Sequence, residues 1–141
     1  MDQTLTLLFF FAAILIVAGL LFALIALTKR DPKGINVELY RSKWLAIETQ
    51  LQRDQPASFQ LCVMNADKLL AKAMEDGGTP GATMADRLKH RQKSWSNANA
   101  LWSAHKLRNR IAHDTDVSVG YDDTRRALSA FKQALKDVGA I

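Results

Sequence analysis

The sequence predicts an all-α protein: a single N-terminal transmembrane helix followed by a small four- or five-helix bundle. Three observations predict it. An uncharged run of 23 residues extends from Leu5 to Leu27. Apolar residues in the remainder recur at steps of three and four, the spacing of one buried helix face. No stretch alternates apolar and polar residues for long enough to build a sheet. The boundaries that follow are an anchor over residues 1–30, a linker over 31–36 and a helical bundle over 37–141.

Averages conceal this division. A hydrophobic content of 48% and a mean hydropathy of −0.09 describe an ordinary globular chain. Yet all 19 Lys and Arg residues follow Thr28. The net charge of +5 permits contact with anionic lipid or nucleic acid without arguing for either. The single cysteine, Cys62, excludes an intrachain disulfide, and its place in an apolar stripe makes it packing rather than a reactive thiol.

As a helix, Leu5–Leu27 is about 34 Å long, enough to cross a hydrocarbon core of roughly 30 Å with slight tilt. A cleaved signal peptide would carry a positive start, a shorter apolar run and a small-residue cleavage site. Here the run opens on Met-Asp-Gln-Thr and closes on Thr28-Lys29-Arg30-Asp31-Pro32, which reads as a stop. Lys29, Arg30 and Lys33 flank only the C-terminal end. The positive-inside rule therefore places the N-terminus outside and the C-terminal domain in the cytoplasm. Gly19 has no second glycine at GxxxG spacing, so the helix carries no dimerisation signal of that kind.

Asp31-Pro32-Lys33-Gly34 breaks the chain before the bundle. Val37, Tyr40, Trp44, Ile47 and Leu51 form one face of a helix running to about Arg53, ended by Asp54-Gln55-Pro56. A second helix begins at Ala57 or Ser58 and runs to about Met74, with Phe59, Cys62, Val63, Ala66, Leu69, Leu70 and Ala73 inward. Residues 75–82 (EDGGTPGA) form the main loop. Thr83 and Asp86 have capping-box spacing and open a short helix with Met84 and Leu88 inward. Lys89, His90, Arg91 and Lys93 make a basic patch read as a solvated face. A fourth helix covers about Asn97–Ala112. A fifth covers Asp122–Val138, with acidic residues at its start and Gly139 as its stop. Trp44, Trp95 and Trp102 read as core rather than as a base-stacking platform.

One segment is unusual. Leu101, Ala104, Arg108 and Ile111 share a stripe of the fourth helix, so Arg108 stands where the pattern asks for an apolar side chain. Trp102, His105, Asn109 and His113 make a polar ridge beside it. His113 falls near the helix C-terminus, where the dipole favours an imidazolium. Arg108 has a structural use: it can reach a carboxylate on another helix, such as Glu48 or Asp67, and brace the bundle.

Arg108, Asn109 and His113 resemble the hallmark of the HEPN family of small helical-bundle domains. That hallmark is an Arg followed by a polar residue, with a His four to six residues later, late in a helix. The resemblance covers roughly Val37–Gly139, while the motif itself covers Arg108–His113. It implies a metal-free ribonuclease in which two protomers bring Arg and His together at a homodimer interface. His113 would be acid or base, Arg108 the stabiliser of phosphorane charge, and Asn109 an orienting group. The toxins of this family that partner minimal nucleotidyltransferases carry a Tyr two residues after the His, where this chain has Thr115. Many HEPN-like domains are not enzymes.

Zinc-ligand spacing, HExxH, an EF-hand loop and a P-loop are missing from the sequence, and no cofactor or metal is expected. Three functions remain. One is a membrane-anchored interaction module that binds a protein or nucleotide partner. Another is a membrane-tethered, metal-independent ribonuclease acting on RNA as a dimer. The third is a purely structural small membrane protein.

Overall fold

A computed structural model describes residues 2–28 and 34–141 and, among them, contains six α-helices and no strands. The chain divides into two compact units, Met1–Asp31 and Pro32–Ile141. Lys29, Arg30, Asp31, Pro32 and Lys33 lie outside the described residues. So do the first three of the six expected linker residues and the charges that set the expected orientation.

The first unit is helix α1, Gln3–Thr28. Its segment Gln3–Ile25 has a mean hydropathy of 3.0 and buries none of its residues. It is apolar all round, so no face is marked for packing on a protein core, and it is long and apolar enough to cross a membrane.

The second unit contains α2 (Val37–Gln50), α3 (Ala57–Asp76), α4 (Met84–His90), α5 (Ala98–His113) and α6 (Tyr121–Val138). Helix α3 is central and packs against α2, α5 and α6, while α5 also packs on α6. The two-turn α4 and a 3₁₀ turn, Gln92–Ser94, fill the connection from α3 to α5. Phe131, Leu70, Met74, Leu88, Leu101, Leu135 and Val63 are fully buried where these elements meet. Cys62 is buried, as its stripe predicts, and burial pushes its thiol pKa up.

Local chemistry sets the ends. The Asn36 side chain accepts from the Leu39 N–H at 3.1 Å and starts α2. Helix α2 stops at Gln50, short of the expected Arg53. The Gln52 N–H, which a continuing helix would bond to Glu48, instead donates to the Ser58 hydroxyl at 3.2 Å. The expected capping box forms: Thr83 Oγ1 accepts from the Asp86 N–H at 3.1 Å, and Asp86 Oδ2 accepts from the Thr83 N–H at 3.2 Å. Asn97 caps α5 through the Ala100 N–H at 3.1 Å. Gly139 takes a left-handed φ of 81°, and the Ala140 N–H returns to the Leu135 carbonyl to close α6.

Trp44 and Trp95 are core residues. Trp102 is only half-buried and donates to Gln92 at 2.9 Å. In the basic patch, Lys89, His90 and Lys93 are exposed, but Arg91 is half-buried and donates to the Asp137 carbonyl at 3.2 Å.

Polar ties cross between elements at several places. The Tyr40 hydroxyl donates to Asp76 at 2.6 Å, tying α2 to the end of α3. Lys132 donates to Glu48 at 2.7 Å, tying α6 to α2. Asp137 accepts from the Ser96 hydroxyl and N–H at 2.6 and 2.8 Å, tying α6 to the entry of α5. Burial, then the bond to Asp76, pushes the Tyr40 phenol well above its ordinary 10.0. The Lys132 bond outweighs burial and holds Glu48 below 4.5. Burial opposes the Asp137 carboxylate, but the Ser96 and Gln133 bonds and the Arg91 charge prevail and hold it below 3.8.

The signs of these shifts define a stability profile. A depressed carboxylate stabilises above its unfolded pKa, and that contribution disappears as pH falls through the folded value. A phenol that keeps its proton longer when folded stabilises below its unfolded pKa, and that contribution disappears as pH rises beyond it. The urea midpoint of the protein in detergent should fall in acid through Glu48 and Asp137 and in alkali through Cys62 and Tyr40. Tyr40→Phe should make the alkaline limb shallower. An unchanged limb would exclude this phenol as its source.

Gly81 gives a second prediction. Its φ is +144°, and an added Cβ would lie 2.8 Å from Arg87 Cγ and 2.9 Å from the Arg87 backbone nitrogen. Gly81→Ala should therefore cost about 2 kcal/mol or more in denaturant unfolding. An unchanged unfolding midpoint would contradict the close approach of this loop to α4.

Candidate functional site

The stripe Val63, Asp67, Leu70, Met74 runs down the buried side of α3 at steps of four, three and four, and Asp67 is its one charged member. On α5, Leu101, Ala104 and His105 are buried, with Arg108 half-buried one turn further. Where α3 packs on α5, the two anomalous positions meet. Arg108 Nε stands 3.2 Å from Asp67 Oδ2. The Nε–H is not aligned on that oxygen and has no hydrogen-bond acceptor, so the pair is coulombic rather than a hydrogen bond.

His105 completes the arrangement. Its Nδ1 lies 2.8 Å from Asp67 Oδ1, and its Nε2 lies 3.3 Å from Asn109 Nδ2. Arg108 Nη1 donates to Asn109 Oδ1 at 3.1 Å. The pattern closes into a ring when His105 is neutral with its hydrogen on Nδ1: His105 donates to Asp67, Asn109 donates to His105, and Arg108 donates to Asn109. Asp67 and His105 are 3% and 5% exposed, whereas the Arg108 side chain is 31% exposed. The carboxylate and the ring are interior, and the guanidinium reaches the surface. The Trp102 ring stands edge-on to the His105 imidazole, 6.1 Å between centroids.

Of the three residues matching the motif, the structure brings Arg108 and Asn109 together and leaves His113 apart. Five residues on a helix amount to about 140° of rotation and about 7.5 Å of rise, so His113 looks away from Arg108 within one protomer. His113 is the last residue of α5, exposed, with no hydrogen-bond partner among the described residues. Of the two carboxylates suggested for Arg108, Asp67 is the one it reaches, while Glu48 is engaged by Lys132.

A cleft of about 880 Å³ opens between α3, the start of α4 and α5. Arg108, Asn109 and His105 line its α5 wall, Lys68 lines its α3 wall, and Met64 and Met84 give it apolar sides. The motif alone does not find Asp67, His105 or Lys68. The available signal is the carboxylate interrupting the apolar stripe of α3, opposite an arginine interrupting that of α5.

Comparison of the chain with protein-family models, with curated proteins and with solved structures returns no match.

The ring makes Asp67 the member the others depend on. Asp67→Ala strips the buried Nδ1–H of His105 of its acceptor and Arg108 of its counter-charge, and should cost about 2–4 kcal/mol in urea unfolding. His113→Ala, at an exposed helix end, should stay within about 0.5 kcal/mol. Equal effects from the two substitutions would show that the ring contributes nothing beyond a surface contact.

Proposed function

We propose that the protein is a single-pass membrane-anchored interaction module with a HEPN-like bundle on the cytoplasmic side. The observation that carries the anchoring is α1 itself. A helix of this length that is apolar on every side has no amphipathic face to bury against a small bundle, and a bilayer satisfies it entirely. The positive charge confined to its C-terminal flank supports the cytoplasmic orientation.

Binding is favoured over catalysis by the placement of Arg108. Its Nε faces Asp67, its Nη1 serves Asn109, and His113 lies about 140° around the same helix. A single protomer therefore has no paired Arg and His to act on a 2′-hydroxyl. Metal-free cleavage would need His113 from a second copy.

The test uses full-length protein. After alkaline carbonate washing it should remain in the membrane fraction. Alkaline phosphatase fused after Ile141 should be inactive, and a fluorescent protein at the same place should be bright. Recovery of the intact chain in the soluble fraction, or of a mature form beginning after Thr28, would remove the anchor. Purified protein should leave RNA intact in EDTA. Cleavage abolished by His113→Ala would replace the module by the dimeric ribonuclease.

A further inference from the structure

We infer that the cleft between α3, α4 and α5 takes a small amphiphilic anion: an oxyanion head, phosphate or carboxylate, on a compact apolar body. The inference deepens the binding-module reading and rests on it, but it does not depend on the anchor.

The head group is argued from charge. Asp67 supplies the negative charge at this place, but both of its oxygens are engaged, one by His105 and one by Arg108, and the residue is buried. The guanidinium has the Asp67 carboxylate beside its Nε and donates from Nη1 to Asn109. Among the described residues, no side chain accepts from its Nη2. That leaves Nη2 free to donate from a guanidinium tied through Nη1 to Asn109, which suits a planar or tetrahedral oxyanion and loses little side-chain freedom on binding. Lys68 lies in the next position along α3, exposed and lining the same cleft. No carboxylate among the described residues pairs with it, unlike Lys72 on Glu75 and Asp76, or Lys132 on Glu48. Since Arg108 and Asp67 cancel, Lys68 leaves the cleft with one uncompensated positive charge.

The body is argued from size and lining. The volume of about 880 Å³ is at the upper end of small-molecule sites, and a bare phosphate would fill little of it. Met64 and Ala71 line it from α3, and Met84 and Ala85 from α4. Methionine side chains adapt to flat or irregular apolar surfaces. Asn65 is not counted among the anion's donors, because its amide donates to Gln50 at 3.2 Å.

The test is calorimetric titration of full-length protein in phosphatidylcholine nanodiscs with four probes. 1-Naphthyl phosphate and 1-naphthoate carry head and body, inorganic phosphate carries the head alone, and 1-naphthol carries the body alone. Naphthyl phosphate and naphthoate should bind saturably at one site per chain, with phosphate and naphthol at least tenfold weaker. Lys68→Gln, an exposed change that leaves the fold intact, should weaken both anions by about fivefold or more. Met84→Trp should abolish binding by filling the apolar side. Naphthol binding as tightly as naphthyl phosphate, no binding by either anion, or affinity indifferent to both substitutions would each overturn the inference. Phosphatidic acid added to the nanodisc assigns the source. Competition with naphthyl phosphate supports a lipid headgroup as the natural anion, and its absence supports a soluble one. Co-elution of protein with the discs reports the anchor separately, so failure of the one is not read as failure of the other.

Discussion

A carboxylate inside a helical bundle is costly unless other groups hold it, and Asp67 is held on both sides. Taking an ionised carboxylate out of water costs several kcal/mol even after relaxation, and only close counter-charge and hydrogen bonds offset that. Asp67 obtains them from α5 alone: the ring nitrogen of His105 on one oxygen and Arg108 beside the other. Because α3 also packs on α2 and α6, a displacement of α5 along α3 would disturb the helix around which the bundle is assembled. Apolar packing between α3 and α5 tolerates several neighbouring registers. The ion pair and the ring bond tolerate one, since sliding by a turn, about 5.4 Å, leaves the carboxylate unpaired.

The same constraint settles what each neighbour does. A histidine facing Asp67 with one nitrogen must present its other nitrogen to Asn109. The amide then has to donate to it, which leaves the amide oxygen for Arg108. The ring of four groups therefore favours one tautomer of His105 and one orientation of Asn109. Arg108 and Asn109, read as a motif with His113, take part within one protomer in an arrangement with Asp67 and His105. His113 is left as a terminal residue of α5, in the place where the helix dipole favours a positive charge.

Much of this was legible in the sequence, unequally. The stripes of α3 and α6 are continuous enough that both helices lie close to where they are expected, and Thr83 with Asp86 makes the capping box their spacing predicts. The C-terminal end of α2 was not legible, because it depends on Ser58, a side chain six residues further on that takes the Gln52 N–H. The 3₁₀ turn before α5 and the burial of Arg91 were equally hidden. They depend on Asp137, more than forty residues away in sequence. The site was half legible. Arg108 announced itself by standing in an apolar stripe, and Asp67 was one of two carboxylates suggested for it. That these two meet, and that His105 rather than His113 joins them, depends on how α3 and α5 face each other. A periodicity on one helix does not contain that information.

Bracing and binding are usually assigned to different residues, since a charge neutralised by its own protein has little left for a ligand. Arg108 escapes that opposition because a guanidinium has five donors and, among the described residues, only Nη1 donates to a side chain of the bundle, Asn109. Asp67 lowers its net charge while the bond from Nη1 to Asn109 orients it, and a donor that does not have to be ordered on binding is worth more per hydrogen bond than a free one. What neutralisation removes in long-range attraction, Lys68 restores from the adjacent position on α3, outside the ring and unpaired. The two cations then differ in kind. Arg108 supplies direction and cannot be replaced without disturbing the bundle, whereas Lys68 supplies charge and can be removed with the fold intact. A surface built in this way separates recognition from stability at one residue of the pair, and for that reason Lys68 is the position at which a ligand's contribution can be read alone.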